Sequence, residues 1–177
     1  MNLDYKNLLD SDFSPDSRVW IYQSNRLFAI SEALEVEDML HSFTSSWLSH
    51  GTKVKGAAHL FFGQFIVLMA DEKATGVSGC STDSSVRLIK EIEKKFGVNL
   101  FERTTLAFFI KDKSDSYRIQ LLPLLQLQYA FDNSFINEGT LYFNNLVQTK
   151  EELESKWIVP IKDSWLLNKI SIPKPAS

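Results

Sequence analysis

The order in which strand-like and helix-like segments follow one another is the feature that most constrains the fold of this chain. Apolar residues recur every three or four positions in two segments, which is the period of a helix packed on one side. Four short segments rich in β-branched and aromatic residues have the composition of strands. In chain order the sequence predicts a strand at 19–22, a helix at 31–50, strands at 54–62 and 65–70, a helix at 83–96 and a strand at 104–110.

This strand–helix–strand–strand–helix–strand order is the ferredoxin-like pattern. Right-handed crossovers then predict an antiparallel sheet with the strand order 4-1-3-2 and both helices on one face. The run Phe65–Ala70 is apolar at every position, which indicates a central strand buried on both faces. Two helices cover one face only, so we expect residues 112–170, or a second subunit, to cover the other. The predicted fold class is therefore α+β, a ferredoxin-like βαββαβ sheet with a C-terminal α/β extension.

Length and composition agree with one compact domain. The chain has 177 residues, of which 44% are hydrophobic, and it carries 13 Phe and 4 Trp. That is enough apolar surface for a core without a disulfide or a metal. We expect residues 1–17 to be a flexible lead-in, residues 18–111 to form the ferredoxin-like core, and residues 112–177 to form an extension packed on the same domain.

Charge and missing motifs disfavour several classes of protein. The net charge is −3 with no basic block, which argues against a nucleic-acid surface. The longest apolar run is far shorter than the roughly 20 residues of a membrane helix, and residues 1–15 lack the pattern of a signal peptide. We therefore expect a cytoplasmic protein without a membrane span. The three His and one Cys have no metal-ligand spacing, and no P-loop or dinucleotide-binding glycine pattern is present, so no metal and no cofactor are expected.

The candidate site is the small polar run at 78–85, which precedes the predicted second helix. In the predicted fold, the connections that leave the first helix and enter the second lie at the same end of the sheet. His50 is expected in the last turn of the first helix, Cys80 just before the second, and Arg18 at the start of the first strand. Three groups that are far apart in sequence are therefore expected to approach one another.

Three interpretations of this run are open. The N–H groups and the positive dipole at a helix start favour a thiolate, so Cys80 is a candidate nucleophile with His50 as its base or counter-ion. The same helix start favours a phosphate, a carboxylate or another small polar ligand, although Asp83 adds an opposing charge. Alternatively, the run only caps a helix and Cys80 is a small buried apolar residue. The candidate ligand-binding residues are Arg18, Ser78, Gly79, Ser81, Thr82, Asp83 and Ser84.

Four segments resemble an uncharacterised bacterial protein family whose members are often labelled "ABC transporter ATPase". They run from Trp20 to Arg26, from Ser78 to Arg87, from Phe143 to Val147 and from Lys162 to Trp165, and the resemblance extends over about residues 18–166. The resemblance implies no established activity and no catalytic residues. It adds that the segment around Cys80 is a recognisable block, and none of the nucleotide-handling motifs of such an ATPase is present.

The sequence therefore predicts a non-catalytic module that binds a small anionic ligand or a protein partner, with homodimerisation as a further expectation. The alternative is a thiol-dependent hydrolase or transferase that uses Cys80 with His50. No nucleic-acid partner is expected.

Overall fold

The computed structural model describes residues 3–49, 51–71, 79–111 and 116–171, and at residues 79–82 it describes the main chain alone. Its strands are β1 (Arg18–Gln23), β2 (Leu48–Ser49), β3 (Thr52–Lys53), β4 (Gly56–Phe61), β5 (Phe65–Ala70), β6 (Thr105–Lys111), β7 (Tyr117–Pro123), β8 (Leu141–Phe143) and β9 (Ile158–Pro160). Its helices are α1 (Ile30–Ser46), α2 (Gly79–Phe96), α3 (Leu127–Asp132) and α4 (Lys150–Lys156). Helices combined with antiparallel sheets confirm the predicted α+β class.

The chain divides into two compact units. The first unit comprises residues 2–102 and 145–155, and the second comprises residues 103–144 and 156–177. This division differs from the predicted one in two ways. The boundary falls after residue 102 rather than after residue 111, and a stretch from the last third of the chain returns to the first unit.

The strand β5 is the centre of a three-stranded antiparallel sheet of the order β1-β5-β4 in the first unit. All 6 of its residues are buried, which confirms the prediction of a central strand. One face of the sheet packs on the two long helices: Ile66 and Leu68 of β5 share one apolar cluster with Leu40 of α1 and Ile89 of α2. The two segments with helix period therefore form helices that bury one side against the sheet.

The other face of this sheet is covered by the N-terminal segment together with the returning stretch 145–155. Tyr5 is buried and packs edge-on against Phe61, with ring centroids 5.8 Å apart. The Tyr5 hydroxyl donates a hydrogen bond to the main-chain oxygen of Leu153. The second cover that the sequence required therefore includes residues 3–17, for which a flexible lead-in was expected.

The fourth predicted strand does not join this sheet, so the ferredoxin-like topology is not confirmed. β6 pairs with β7 and β8 in a separate antiparallel sheet of the order β7-β6-β8-β9. The returning stretch bonds the outer edge of β1 instead: Val19 N–H donates to the Gln148 oxygen at 2.8 Å, and Lys150 N–H donates to the Ser17 oxygen at 2.9 Å. β6 forms a hairpin with the strand that follows it, and a short loop costs less closure entropy than a long-range pairing.

Both long helices have different ends from those predicted. α1 ends at Ser46, because Trp47 adopts an extended conformation (φ −68°, ψ 118°) and its ring is buried against Gly56. α2 begins at Gly79 rather than at Asp83. None of the helices formed by the described residues is long and apolar enough to cross a membrane.

Candidate functional site

The two residues proposed for catalysis cannot be placed against each other. His50 and Ser78 lie outside the described residues. Cys80 lies in the first turn of α2 rather than before the helix, and α1 ends before it reaches His50. The side chains of Gly79, Cys80, Ser81 and Thr82 lie outside the described part of the chain. An approach of Cys80 to His50 therefore stays a prediction.

Arg18 lies at the end of the sheet where the sequence placed it. It stands opposite Ala70 in the β1–β5 register, and β5 is the strand from which the chain continues toward α2. The Arg18 side chain lies over the Trp20 ring, with its guanidinium carbon 5.1 Å from the ring centroid. Through this cation–π contact, the Arg18 side chain packs on the surface of β1.

Of the predicted ligand-binding side chains that the structure describes, Ser84 lies at a groove and Asp83 does not. The groove runs between α1 and α2, has a volume of about 930 Å³ and is called the helix groove below. Asp83 is exposed and lies beside a smaller depression with Arg87 and Lys90. Among the described side chains of the polar run, Ser84 is therefore the one that lines the helix groove.

The helix groove has an apolar floor. Trp47 and Leu88 are buried at its base, and Met39 and Phe43 of α1 are half-buried beside them. Leu48, just beyond α1, also lines the groove and is 52% exposed. Such a concave apolar surface between two helices is a common setting for a small-molecule site.

Charged side chains are distributed unevenly along the helix groove. At one end, Lys95 Nζ and Glu35 Oε2 form an ion pair of 2.7 Å, which joins the start of α1 to the end of α2. Arg87 lies toward the other end, near Ser84, and it is absent from the ion pairs formed by the described residues. The groove therefore offers an apolar surface with one guanidinium available to an anion.

Sequence reasoning missed this groove, although several of its apolar residues belong to the two segments with helical period. Phe43 and Trp47 follow the apolar period of the first segment, and Leu88 follows that of the second. Helical period shows which residues face inward, but it does not give the separation of two helices. The distance between α1 and α2, which turns a packed face into a groove, has no signal in the sequence.

The loop after β1 is a structural junction. Gln23 Oε1 accepts a hydrogen bond from Asn145 Nδ2 at 2.9 Å. The buried Ser24 and Gln64 form two hydrogen bonds with each other. The Ser24 N–H donates to the main-chain oxygen of Gln64, and Gln64 Nε2 donates to the main-chain oxygen of Ser24. Because these polar groups are satisfied inside the fold, the loop connects the parts of the first unit rather than presenting a ligand site.

Metal binding finds no support in the described side chains, among which no group of three or more His, Cys, Asp or Glu could hold an ion. Comparison with known proteins finds no matching family model, no matching curated protein and no matching solved structure. The helix groove is therefore the feature of this chain that bears most directly on its function.

Proposed function

We propose that this protein is a non-catalytic binding module that holds a small amphipathic anion in the helix groove. The observation that supports this proposal most directly is the apolar floor next to Arg87, a guanidinium without an ion-pair partner among the described residues. An apolar ligand body gains free energy when it leaves water for the surface formed by Met39, Phe43 and Leu88. A carboxylate, sulfonate or phosphate on the same ligand matches the N–H donors of a guanidinium.

The remaining charges of the groove narrow the class of ligand. Asp38 and Glu91 are exposed carboxylates in the lining, and Glu35 is already paired with Lys95. A second anionic group placed toward Asp38 and Glu91 would be repelled. The groove therefore favours a ligand with one anionic end, at Arg87, and an uncharged apolar body.

The experiment uses the fluorescent probe 1-anilinonaphthalene-8-sulfonate, which has an aromatic body and one sulfonate. We expect saturable binding to the native protein, competition by decanoate, and a loss of affinity of about tenfold in Arg87→Gln, because one charge-assisted hydrogen bond is removed. The matched control is Lys94→Gln, which removes one positive charge from an exposed position of α2 that does not line the groove.

Equal affinities of the Arg87→Gln variant and the native protein would overturn the proposal, and so would an equal loss in Lys94→Gln. The second result would show that the probe responds to the net charge of α2 and not to the groove. Far-UV circular dichroism of both variants checks that each one is folded.

A thiol-dependent hydrolase or transferase that uses Cys80 with His50 is the alternative function, and it stays a prediction because neither side chain is among those described. A protein partner, a homodimer and a cytoplasmic location likewise stay predictions from the sequence. The helix groove supports the binding module in preference to the enzyme, since its apolar floor and Arg87 need no catalytic group.

A further inference from the structure

The outer edge of β4 lies at the bottom of a second cleft, separate from the helix groove and called the edge cleft below. Glu37, His41 and Thr44 of α1 form one wall, Leu8 lies on the other side, and residues 58–61 of β4 line the base. The cleft has a volume of about 380 Å³. β4 is an end strand of its sheet, so the cleft follows a sheet edge.

The register of the sheet shows which main-chain groups face this cleft. Asp71 N–H donates to the Lys55 oxygen at 2.9 Å, so Lys55 turns its main-chain groups toward β5. In an antiparallel pair these groups alternate in direction from one residue to the next. The N–H and C=O groups of Ala58 and Leu60 therefore point away from β5, and no hydrogen bond joins them to any described residue.

His59 contributes a buried polar atom that also lacks a partner. Its Nε2 atom is buried and forms no hydrogen bond with the described chain, while the ring stacks on Phe61 with centroids 5.2 Å apart. Burial lowers the pKa of His59, although the nearby carboxylates of Asp10 and Glu37 act in the opposite direction. A buried polar atom left without a hydrogen bond is costly, and a ligand in the cleft would satisfy it.

The charges around the edge cleft favour a basic ligand. Glu37 is an exposed carboxylate on the α1 wall, and Asp10 adds a second negative charge near His59. The opposite side carries Leu8, an apolar side chain that is 60% exposed. One side of the cleft therefore suits a positive group, and the other suits an aliphatic one.

We propose that the edge cleft binds an extended segment of a partner protein, which pairs with β4 as an additional strand. The free main-chain groups of Ala58 and Leu60 supply two donors and two acceptors, the arrangement used when a peptide adds to a sheet edge. Side chains alternate between the two faces of a strand. The bound segment therefore has Lys or Arg on the side facing Glu37 and an aliphatic residue on the side facing Leu8. This site goes beyond the proposed function, because it takes a different ligand in a different cleft.

The probe is a capped hexapeptide of alternating Lys and Val, titrated into uniformly ¹⁵N-labelled full-length protein. With peptide concentrations raised beyond about 1 mM, which covers sites with a Kd in the millimolar range, we expect saturable shifts of the Ala58 and Leu60 amides and slower hydrogen exchange at both. Unchanged signals at these two residues would overturn the proposal.

Two controls separate strand pairing from charge attraction. The same peptide methylated at its main-chain nitrogens keeps its charge but cannot donate main-chain hydrogen bonds, and we expect its affinity to be at least about tenfold lower. Equal binding of the methylated and unmodified peptides contradicts strand addition, and this comparison uses the native protein alone. We expect Glu37→Gln to weaken binding of the unmodified peptide about threefold, as for an exposed charge.

A variant pair tests the edge itself. Ala58→Pro removes the outward N–H, which proline tolerates on an edge strand, whereas Ala58→Ser keeps it. We expect a loss of affinity of about tenfold in the proline variant and little change in the serine variant. If the free protein instead forms a dimer with exchange protection at Ala58 and Leu60, a second copy of this chain is the occupant and the partner-protein proposal is overturned. Binding of the sulfonate probe at Arg87 is independent of all these results.

Discussion

At the scale of single residues, Arg26 joins three segments of the first unit through one guanidinium. It donates to both carboxylate oxygens of Glu32, at 2.7 and 2.9 Å, and to the main-chain oxygen of Phe96 at 2.6 Å. Glu32 also accepts a hydrogen bond from Ala29 N–H at 2.8 Å. The loop after β1, the start of α1 and the end of α2 therefore share one bidentate charge pair, which is the strong form of such a contact.

This pair predicts a dependence of stability on pH. The hydrogen bonds from Arg26 and from Ala29 N–H lower the pKa of Glu32 from its ordinary value of 4.5 to about 2. A carboxylate with a lowered pKa in the folded state stabilises that state above the unfolded pKa, and the contribution is lost as the pH falls toward the folded pKa. We expect the free energy of unfolding to fall between pH 4.5 and pH 2 by more in the native protein than in Glu32→Gln.

Denaturant unfolding at a series of pH values measures this difference. The matched control is Glu37→Gln, which removes a carboxylate from the same helix that does not bond to Arg26. The explanation is wrong if the profile of Glu32→Gln runs parallel to that of the native protein over the whole range.

Ser134 is strained at the end of α3. It has a positive φ of 58°, which costs a residue with a Cβ about 1 kcal/mol or more. Its N–H donates to the Phe131 oxygen and that of Phe135 to the Ala130 oxygen, the two bonds of a Schellman motif, in which glycine is the usual residue at this position. Phe135 also packs on Tyr129, with ring centroids 6.3 Å apart.

We expect Ser134→Gly to stabilise the protein by about 0.5–1 kcal/mol, because glycine adopts this conformation without the steric cost. Thermal unfolding by calorimetry measures the change. Ser134→Ala keeps the Cβ and serves as the control, for which we expect no gain. Equal melting temperatures for the glycine and alanine variants would show that the backbone of Ser134 is not strained.

At the scale of elements, the end of α1 is fixed by the contact of Trp47 with β4. A Cβ atom at Gly56 would lie 2.5 Å from Cε3 and 2.8 Å from Cζ3 of the Trp47 ring. Trp20 and Phe43 enclose the same indole, with ring centroids 6.3 and 4.8 Å from it. The ring therefore has little freedom to move away from the start of β4.

We expect Gly56→Ala to destabilise the protein by about 1–3 kcal/mol, the usual cost of overpacking. In a Trp47→Leu background the same change should cost clearly less, because the smaller side chain leaves room for the methyl group. Urea unfolding of the four proteins of this cycle gives the coupling between the two positions. Additive effects would mean that the two side chains do not compete for this space.

Helices and strands could be predicted where the pattern of neighbouring residues determines them. The period of α1 and the continuous apolarity of β5 are properties of neighbouring residues, and both elements were predicted to within a few residues, apart from the C-terminal end of α1. Neighbouring residues do not determine which other strand a strand pairs with. Residues 104–110 have the composition of a strand and were expected to pair with β1. The sequence could not show that the stretch around Gln148 forms hydrogen bonds with the edge of β1 instead.

The same distinction applies to the candidate site. The polar run before α2 could be recognised, and its described member Ser84 lies at the helix groove. Arg87 is exposed, as charged residues on the outer face of a helix usually are. Its position beside the apolar floor depends on how α1 and α2 are spaced, and that spacing is a tertiary property.

At the scale of the whole molecule, the two units each have their own sheet and their own apolar core. Neither is continuous in sequence, because residues 145–155 belong to the first unit and the chain then continues in the second. Leu153, in this returning stretch, is fully buried. A truncation after residue 102 would remove residues 145–155 from the first unit. It would therefore leave the edge of β1 unpaired and part of one sheet face uncovered.

This return of the chain has a consequence for the order of events during synthesis. A growing chain that has left the ribosome as far as residue 144 contains most of both units, yet it lacks the segment that bonds to Ser17 and Val19. Only about 11 further residues complete the first unit, and β9 of the second unit follows directly. The two cores therefore reach completion within a short interval of synthesis, and until then the nascent chain exposes apolar surface that is buried in the folded protein.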